Sequence, residues 1–432
     1  MNVTTFTAVD PAAVAAKKRR VLLLLPVTSY RNQDFLAAAA KLGIDVVSAA
    51  DNCRQLAPQR GFSPIRALRF DQPESAATRL LSSLGRRVDA VLAVDDAGVE
   101  LAALLRQRLG LRGNTPEAAA FARDKLAFRR LLADTGLNCP PFQPLADENE
   151  ARALAPQLHY PVVVKARRLS ASRGVLRADD PSQFVQAAER VARIQRAADR
   201  DAARLGLLVE EFVPGAEYAL EGLLDDGKLR VLALFDKPDP LDGPVFEETI
   251  YVTPSRLAPE RQDEIAACVQ RVCSAAGLAS GPIHAEMRVN DRGIWLLEVA
   301  ARSIGGLCGR MLRHRLGMSL EELILRDALG MSITVPSSRE ASGVMMIPLP
   351  WRGIYRGVAG LDDALLVPGI EDIRITAHAG QLLAPLPEGD SYLGFIFARA
   401  GNAAETEAAL RASHARLSFD IQSEIPLAMQ RD

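Results

Sequence analysis

Two glutamates set the chemical question. Glu286 and Glu298 sit in apolar alternating runs, 283–289 and 294–300, on either side of Asn290-Asp291-Arg292-Gly293. The pattern predicts a β-hairpin. A three-residue loop, Asp291-Arg292-Gly293, puts Gly293 in the left-handed conformation that such loops favour. That register pairs 290 with 294, and therefore Glu286 with Glu298. Both carboxylates then leave one face of the sheet, with Cα atoms about 5 Å apart. Facing acids in the middle of strands repel each other and are costly to strip of water. The bland alternative is a solvated face with lysine partners. The chemical one is a magnesium site, because hard divalent cations take carboxylate oxygens together with substrate phosphates. His284 shares the face of Glu286, while Ala300 and Arg302 continue the face of Glu298.

Upstream residues suit a phosphate. Lys165 ends the apolar run Pro161-Val162-Val163-Val164, which puts an ammonium beside a buried site. Lys125, at the start of a helical run 124–134, reads by itself as a solvated lysine. Ser170-Ala171-Ser172-Arg173-Gly174-Val175 is small and hydroxylated, so its backbone N–H groups can close on phosphate oxygens. Alone it reads equally as a plain loop, and it lacks the GxxxxGK[ST] pattern. The stretch 208–217, with Glu210, Glu211, Phe212, Val213 and Glu217, runs from strand into a turn at Pro214-Gly215. Exposed backbone there can read the edge of a base. Gly305-Gly306 precede a helix-like stretch 307–316, whose first N–H groups suit a carboxylate. A simple turn is the other reading of the two glycines. Glu248, in Phe246-Glu247-Glu248 with Tyr251, offers an acid to an ammonium group.

The elements that must position these groups follow from punctuation and periodicity. Val21–Val27 is apolar throughout and follows a basic Lys17–Arg20, as a signal peptide does. The run is short and lacks a good cleavage site, so a buried parallel strand explains it better. Strands at 44–48 and 88–94 alternate with helices at 34–42, 72–84 and 99–108, the second with Asp71 as its cap. No GxGxxG follows the first strand, which argues against a dinucleotide crevice. Thr115-Pro116-Glu117 starts a helix, Gly136 ends the next, and Pro140-Pro141 reads as a linker. Strands are expected at 160–166, 207–212 and 218–223, and helices at 181–203 and 259–276. Residues 1–16 look loose, and the texture changes again after Val335.

Composition narrows the class. The 432 residues carry 52 Lys plus Arg against 53 Asp plus Glu. That balance gives no reason to expect nucleic acid or an anionic membrane as partner. Cys53, Cys139, Cys268, Cys273 and Cys308 are scattered, without metal-ligand spacing. Reduced thiols and a cytoplasmic protein are the expectation. No apolar run reaches the length of a membrane-spanning helix.

The ordered set, over residues 115–310, resembles the ATP-grasp superfamily, most nearly bacterial L-amino-acid ligases of the bacilysin-synthetase type. Arg123-Asp124-Lys125 is similar to the family's first lysine segment, and Val163-Val164-Lys165 with Ser172 and Gly174 to its second lysine and mobile loop. Glu210 to Val213 with Glu217 resemble the adenine hinge and ribose acid. His284, Glu286, Glu298 and Arg302-Ser303-Ile304-Gly305-Gly306 resemble the metal and reaction centre. The resemblance implies an α/β and α+β architecture with three parts. These are a Rossmann-like N-terminal domain over 1–112, an ATP-grasp core over 113–332 with a mobile subdomain near 140–213, and an α+β domain over 333–432. It also implies ATP and two magnesium ions, with manganese as a substitute, and a homodimer acting on a small carboxylate and an amine. Arg302 would be catalytic; Lys125, Lys165, Ser172, Gly174 and the hinge would bind ATP. Glu286 and Glu298 would hold metal; Glu248, His284, Ser303, Gly305 and Gly306 would bind substrate. An acyl-phosphate would link the two half-reactions. Ala300 departs from the family, many members of which carry a metal-binding Asn there. A biotin-carboxylase-like enzyme and a non-catalytic nucleotide-binding module are the competing readings.

Overall fold

The computed structural model describes residues 18–51, 65–198, 202–336 and 340–423. Cys53 and the segment 1–16 lie outside the described residues. The apolar run near the N-terminus is strand Arg20–Leu25, one of the two inner strands of a parallel four-stranded sheet. It pairs with Asp45–Ala50 on one side and Ala90–Ala93 on the other. Alternate side chains explain its uniform hydrophobicity. Leu22 and Leu24 pack with Leu101 and Leu105 on one face. Leu23 and Leu25 pack with Phe35 and Leu323 on the other. A strand buried on both faces has no polar side to show.

Helix starts follow their signals. Thr115 Oγ1 accepts from the Ala118 N–H at 3.2 Å to open helix Pro116–Phe121. Asp124 caps helix Lys125–Thr135, and Gly136 closes it in the left-handed conformation. One cap differs from expectation. Helix Pro73–Ser83 begins after Gln72, because Asp71 is turned to the Arg69 guanidinium instead.

Two antiparallel sheets flank the cleft. The smaller orders Phe142–Leu145, Leu207–Glu211, Val162–Ala166 and Val175–Ala178, backed by helix Pro181–Ala198. Residues of that helix, including Phe184, Ala188 and Val191, fill its core. The larger sheet has eight strands in the order Gly293–Ala300, Gly281–Asn290, Ala216–Asp225, Lys228–Lys237, Ile250–Thr253, Ala341–Ile347, Gly394–Ala400 and Ile370–Ile375. Its hydrogen bonding runs through position 333 without a break, since Ile250–Thr253 pairs with Ala341–Ile347. Among the described residues no helix is long and apolar enough to cross a membrane.

The hairpin differs from expectation in a way that preserves its consequence. Asn290 pairs with Gly293, so the turn has two central residues, Asp291 and Arg292. That register alone would move Glu286 opposite position 297. A bulge between Met287 and Glu286 adds Leu297 on the partner strand and restores Glu286 opposite Glu298. The stretch after Gly306 also differs. It is a 3₁₀ helix, Cys308–Leu312, followed by one α-turn, Arg313–Leu316.

Candidate active site

Three cross-strand rows on one face of the large sheet make the site floor. Lys237, Glu217 and Arg288 are directly opposed on neighbouring strands. Two residues along, Phe235, Ala219, Glu286 and Glu298 are opposed. The third row brings Glu221, His284 and Ala300 together. Side chains two apart on a strand share a face, so every one of these residues points to the same side. Above the floor is a cleft of about 1140 Å³.

At one end Lys165, Val163, Phe212, Val213, Phe246, Glu217 and Arg288 line the cleft, and Lys125 lies between them and Glu298. The Lys125 ammonium is 2.6 Å from the Leu169 carbonyl and 3.3 Å from Glu298. Lys165 lies 2.5 Å from Glu210, whose carboxylate also takes two hydrogen bonds from Arg129, at 2.7 and 3.0 Å. Burial would raise the Glu210 pKa, but Arg129 and Lys165 outweigh it and hold the acid down to about 2. Glu210 is therefore a buried anchor that fixes Lys165. Burial lowers the Lys165 pKa, with Arg129 nearby opposing the help from Glu210. An ammonium that shares this anion with Arg129 is ready for a second one. Arg288 is buried and donates to the Val213 carbonyl at 2.8 Å and to Glu217 at 3.2 Å. Its guanidinium also lies over the Phe212 ring, which stacks with Phe246.

At the other end Glu286, Glu298, His284, Arg302, Gly305, Gly306, Glu248 and Tyr251 line the cleft, with Tyr30, Asp95 and Asp96 from the N-terminal sheet's loops. His284 Nδ1 is 3.1 Å from Glu221 and its Nε2 is 3.5 Å from Glu286. Glu221 is fully buried and also accepts from the Ile304 N–H at 2.9 Å. One carboxylate thus fixes both the histidine and the loop that follows Arg302. Arg302 Nε is 2.9 Å from Asp96. Burial opposes its charge, but Asp96, Asp95 and Glu298 raise its pKa above the ordinary arginine value. Burial pushes Glu248 up to about 7, with Lys237 opposing and Glu286 adding.

Several sequence-predicted residues stand elsewhere. Glu211 does not line the cleft, because it follows Glu210 on a strand and points to the other side. Ser303 is buried behind the site and accepts from Arg31 at 2.6 Å. Gly174 forms the turn that ends the small-residue loop, its N–H donating to the Pro387 carbonyl at 3.1 Å. Ser170 to Arg173 do line the cleft, with Ala171 and Ser172 in the left-handed conformation. Arg173 meets Asp390 at 3.0 Å, so the loop is tied to the C-terminal region. Sequence reading missed Arg129, Arg288, Glu221, Asp96 and Lys237. Lys237 lies one residue past the apolar run 231–235, with Asp236 between, so a weaker form of the signal at Lys165 was present.

The donors at the floor fit a hard cation. Glu286 and Glu298 are cross-strand neighbours, 25% and 28% exposed toward the cleft, and both offer carboxylate oxygens. Ala300 is buried and offers none.

Comparison with known proteins places two domain types along the chain. The ATP-grasp domain family matches residues 158–311, and L-amino acid ligase C-terminal domain 2 matches 345–422. Residues 158–311 are an ATP-grasp domain. The chain is 29% identical over 305 residues to carnosine synthase 1 of Gallus gallus, covering 66% of the chain and 33% of that protein. It is 24% identical over 331 residues to alanine–anticapsin ligase of Bacillus subtilis, covering 72% and 70%. The chain spans about a third of the length of the carnosine synthases that it matches. The L-amino acid ligase structure from Bacillus licheniformis superposes with a TM-score of 0.77 at 24% identity, over 94% of this chain and 99% of that one. The expected ATP-grasp fold, with an α/β N-terminal part and mixed helix and strand beyond it, is borne out.

Proposed function

We propose that this chain uses ATP to join a small carboxylic acid, such as an amino acid, to an amine. The products would be an amide, ADP and phosphate, with an acyl-phosphate between the two half-reactions. One observation carries the reading. Two facing acids and an arginine line one cleft together with two lysines, of which Lys125 is 3.3 Å from Glu298. The relatives with ligase names support it.

In the first half-reaction a substrate carboxylate oxygen attacks the γ-phosphorus, and the bond from that phosphorus to the β–γ bridging oxygen breaks. An anion approaches a polyanion here, so neutralising charge is the main task. Lys125 and Lys165 suit the α- and β-phosphates. Phe212, Phe246 and Val163 offer a base an apolar slot, and Glu217 faces the ribose. Magnesium on Glu286 and Glu298 would neutralise the β- and γ-phosphate oxygens. Two ions, with Glu298 shared between them, belong to this reading. Arg302, oriented by Asp96, suits the moving phosphoryl group with its fixed fork of donors. In the second half-reaction the amine nitrogen attacks the acyl carbon, the C–O bond to phosphate breaks, and the nitrogen loses a proton. Glu248 faces the ammonium or amine, and Gly305-Gly306 leave room for the substrate carboxylate. The loop 167–175 would exclude water from the acyl-phosphate. A core over 113–332, a C-terminal unit over 333–432, a homodimer and a cytoplasmic location complete the reading.

Incubation with ATP, magnesium and pairs of amino acids tests it, with phosphate release and product mass read together. Phosphate release that needs an amino acid pair and yields a condensed mass supports the ligase. Release that needs bicarbonate instead supports the biotin-carboxylase-like alternative. Nucleotide binding without any turnover across the screen supports a binding module.

A further inference from the structure

Lys237 is a fully enclosed cation that the reaction above does not use. Its side chain is 3% exposed and is enclosed among the acids of the cleft floor. The ammonium is 2.7 Å from Glu217 and 3.4 Å from Glu286, and it is hydrogen-bonded to Glu248. The Tyr251 ring lies 5.0 Å away. Oxygens of those three glutamates come within 4.8 Å of one another, the spacing of a divalent-cation site. Three hard carboxylate donors at that spacing repel unless a cation sits among them.

The fold explains how a lysine comes to be there. Lys237 is opposed to Glu217 across one strand pair, and Glu217 is opposed to Arg288 across the next. Glu217 is thus clamped between two cations. Ala219, opposed to Glu286, is small enough to leave space over the sheet through which Lys237 and Glu286 meet. Burial works against the ammonium, but the three acids outweigh it and raise its pKa well above the ordinary lysine value.

We propose that Lys237 is a positioning residue, a built-in counter-ion that occupies a divalent-cation position between Glu217, Glu248 and Glu286. It holds those acids in place and keeps metal out of their midst, so that ions arriving with the nucleotide are directed to the side of Glu286 that faces Glu298. The last clause rests on the proposed ligase chemistry; the occupied cation position does not.

The test is nucleotide-free Mn²⁺ binding by calorimetry on the full chain, which reads no turnover. Lys237→Ala should bind Mn²⁺ at least about tenfold more tightly than the unmodified protein, because the triad is vacated. Lys237→Arg keeps the charge and should bind as the unmodified protein does. Glu248→Gln added to Lys237→Ala should abolish the gain. If Lys237→Ala folds only when Mn²⁺ is present, the proposal is supported in the same way. It is overturned if Lys237→Ala binds no more tightly than the unmodified protein, if the gain survives Glu248→Gln, or if Mn²⁺ fails to restore an unfolded Lys237→Ala. A merely structural lysine would lower the melting temperature without creating a metal site.

Discussion

Glu210→Gln separates a buried anchor from a nucleotide-reading residue. Glu210 is 3% exposed and takes Arg129 through two hydrogen bonds and Lys165 through a third. Gln keeps the shape and removes the charge, leaving two buried cations without their anion. The magnitude follows from its acidity. A fall from 4.5 to about 2, at about 1.4 kcal/mol per tenfold change in proton affinity, is about 3 kcal/mol. Breaking a buried ion pair by removing one partner costs about 3–5 kcal/mol, which agrees. For an unfolding unit of about 200 residues that corresponds to a drop of roughly 6–12 °C in melting temperature. The sign against pH is fixed by the direction of the shift. A carboxyl with a depressed pKa contributes its full stability above about 4.5 and loses it as pH falls toward about 2. The effect of Glu210→Gln should therefore be complete at pH 7.5 and shrink on acidification. ATP should raise the variant's melting temperature more than it raises that of the unmodified protein, because phosphates return an anion to Lys165. Thermal melts with and without ATP at several pH values make the measurement. A drop of less than about 2 °C at pH 7.5 would refute the anchor role.

Other replacements probe the cleft itself. Lys165→Ala should weaken ATP binding by about 2–3 kcal/mol while the fold is retained, read by nucleotide calorimetry and circular dichroism. Arg302→Ala should leave ATP binding intact and lower kcat by a factor of about 10² or more, and Arg302→Lys should restore little, since an ammonium lacks the fork of donors. Gly306→Ala places a methyl 2.9 Å from the buried Phe395 ring at a backbone φ of +59°. It should lower stability by about 1–2 kcal/mol and raise KM for the substrate bound at that end, checked by melts and steady-state kinetics.

Local signals carried much of this structure. The strand Arg20–Leu25 was legible because a parallel strand buried on both faces has no polar alternation to confuse. Helix starts at Thr115 and Asp124 were legible because a capping oxygen and a following proline or lysine act within one turn. The opposition of Glu286 and Glu298 was also legible, though its reason was not. A two-residue turn and a bulge at Leu297 compensate each other, and no local residue type announces the bulge. Pairings between distant segments were hidden. Glu210 meets Arg129 across 81 positions and Arg302 meets Asp96 across 206, so neither partner marks the other in sequence. The continuity of the large sheet past residue 333 depends on a strand pair 90 residues apart, and strand propensity alone does not choose partners. Lys237 was missed for a different reason. Asp236 interrupts the apolar pattern before the lysine that ends strand Lys228–Lys237, whereas Val164 directly precedes Lys165.

The proposed chemistry turns on a carboxylate oxygen bonded to the γ-phosphorus of ATP before the amide forms. The most direct measurement uses an acid labelled with ¹⁸O in both carboxylate oxygens, an amine and ATP, with the released phosphate analysed by mass. Acyl-phosphate formation moves one labelled oxygen into each phosphate, because the C–O bond breaks when the amine attacks. ADP, amide and singly labelled phosphate should form in equal amounts. Amide formed with unlabelled phosphate, or with AMP and pyrophosphate, would contradict the proposed chemistry.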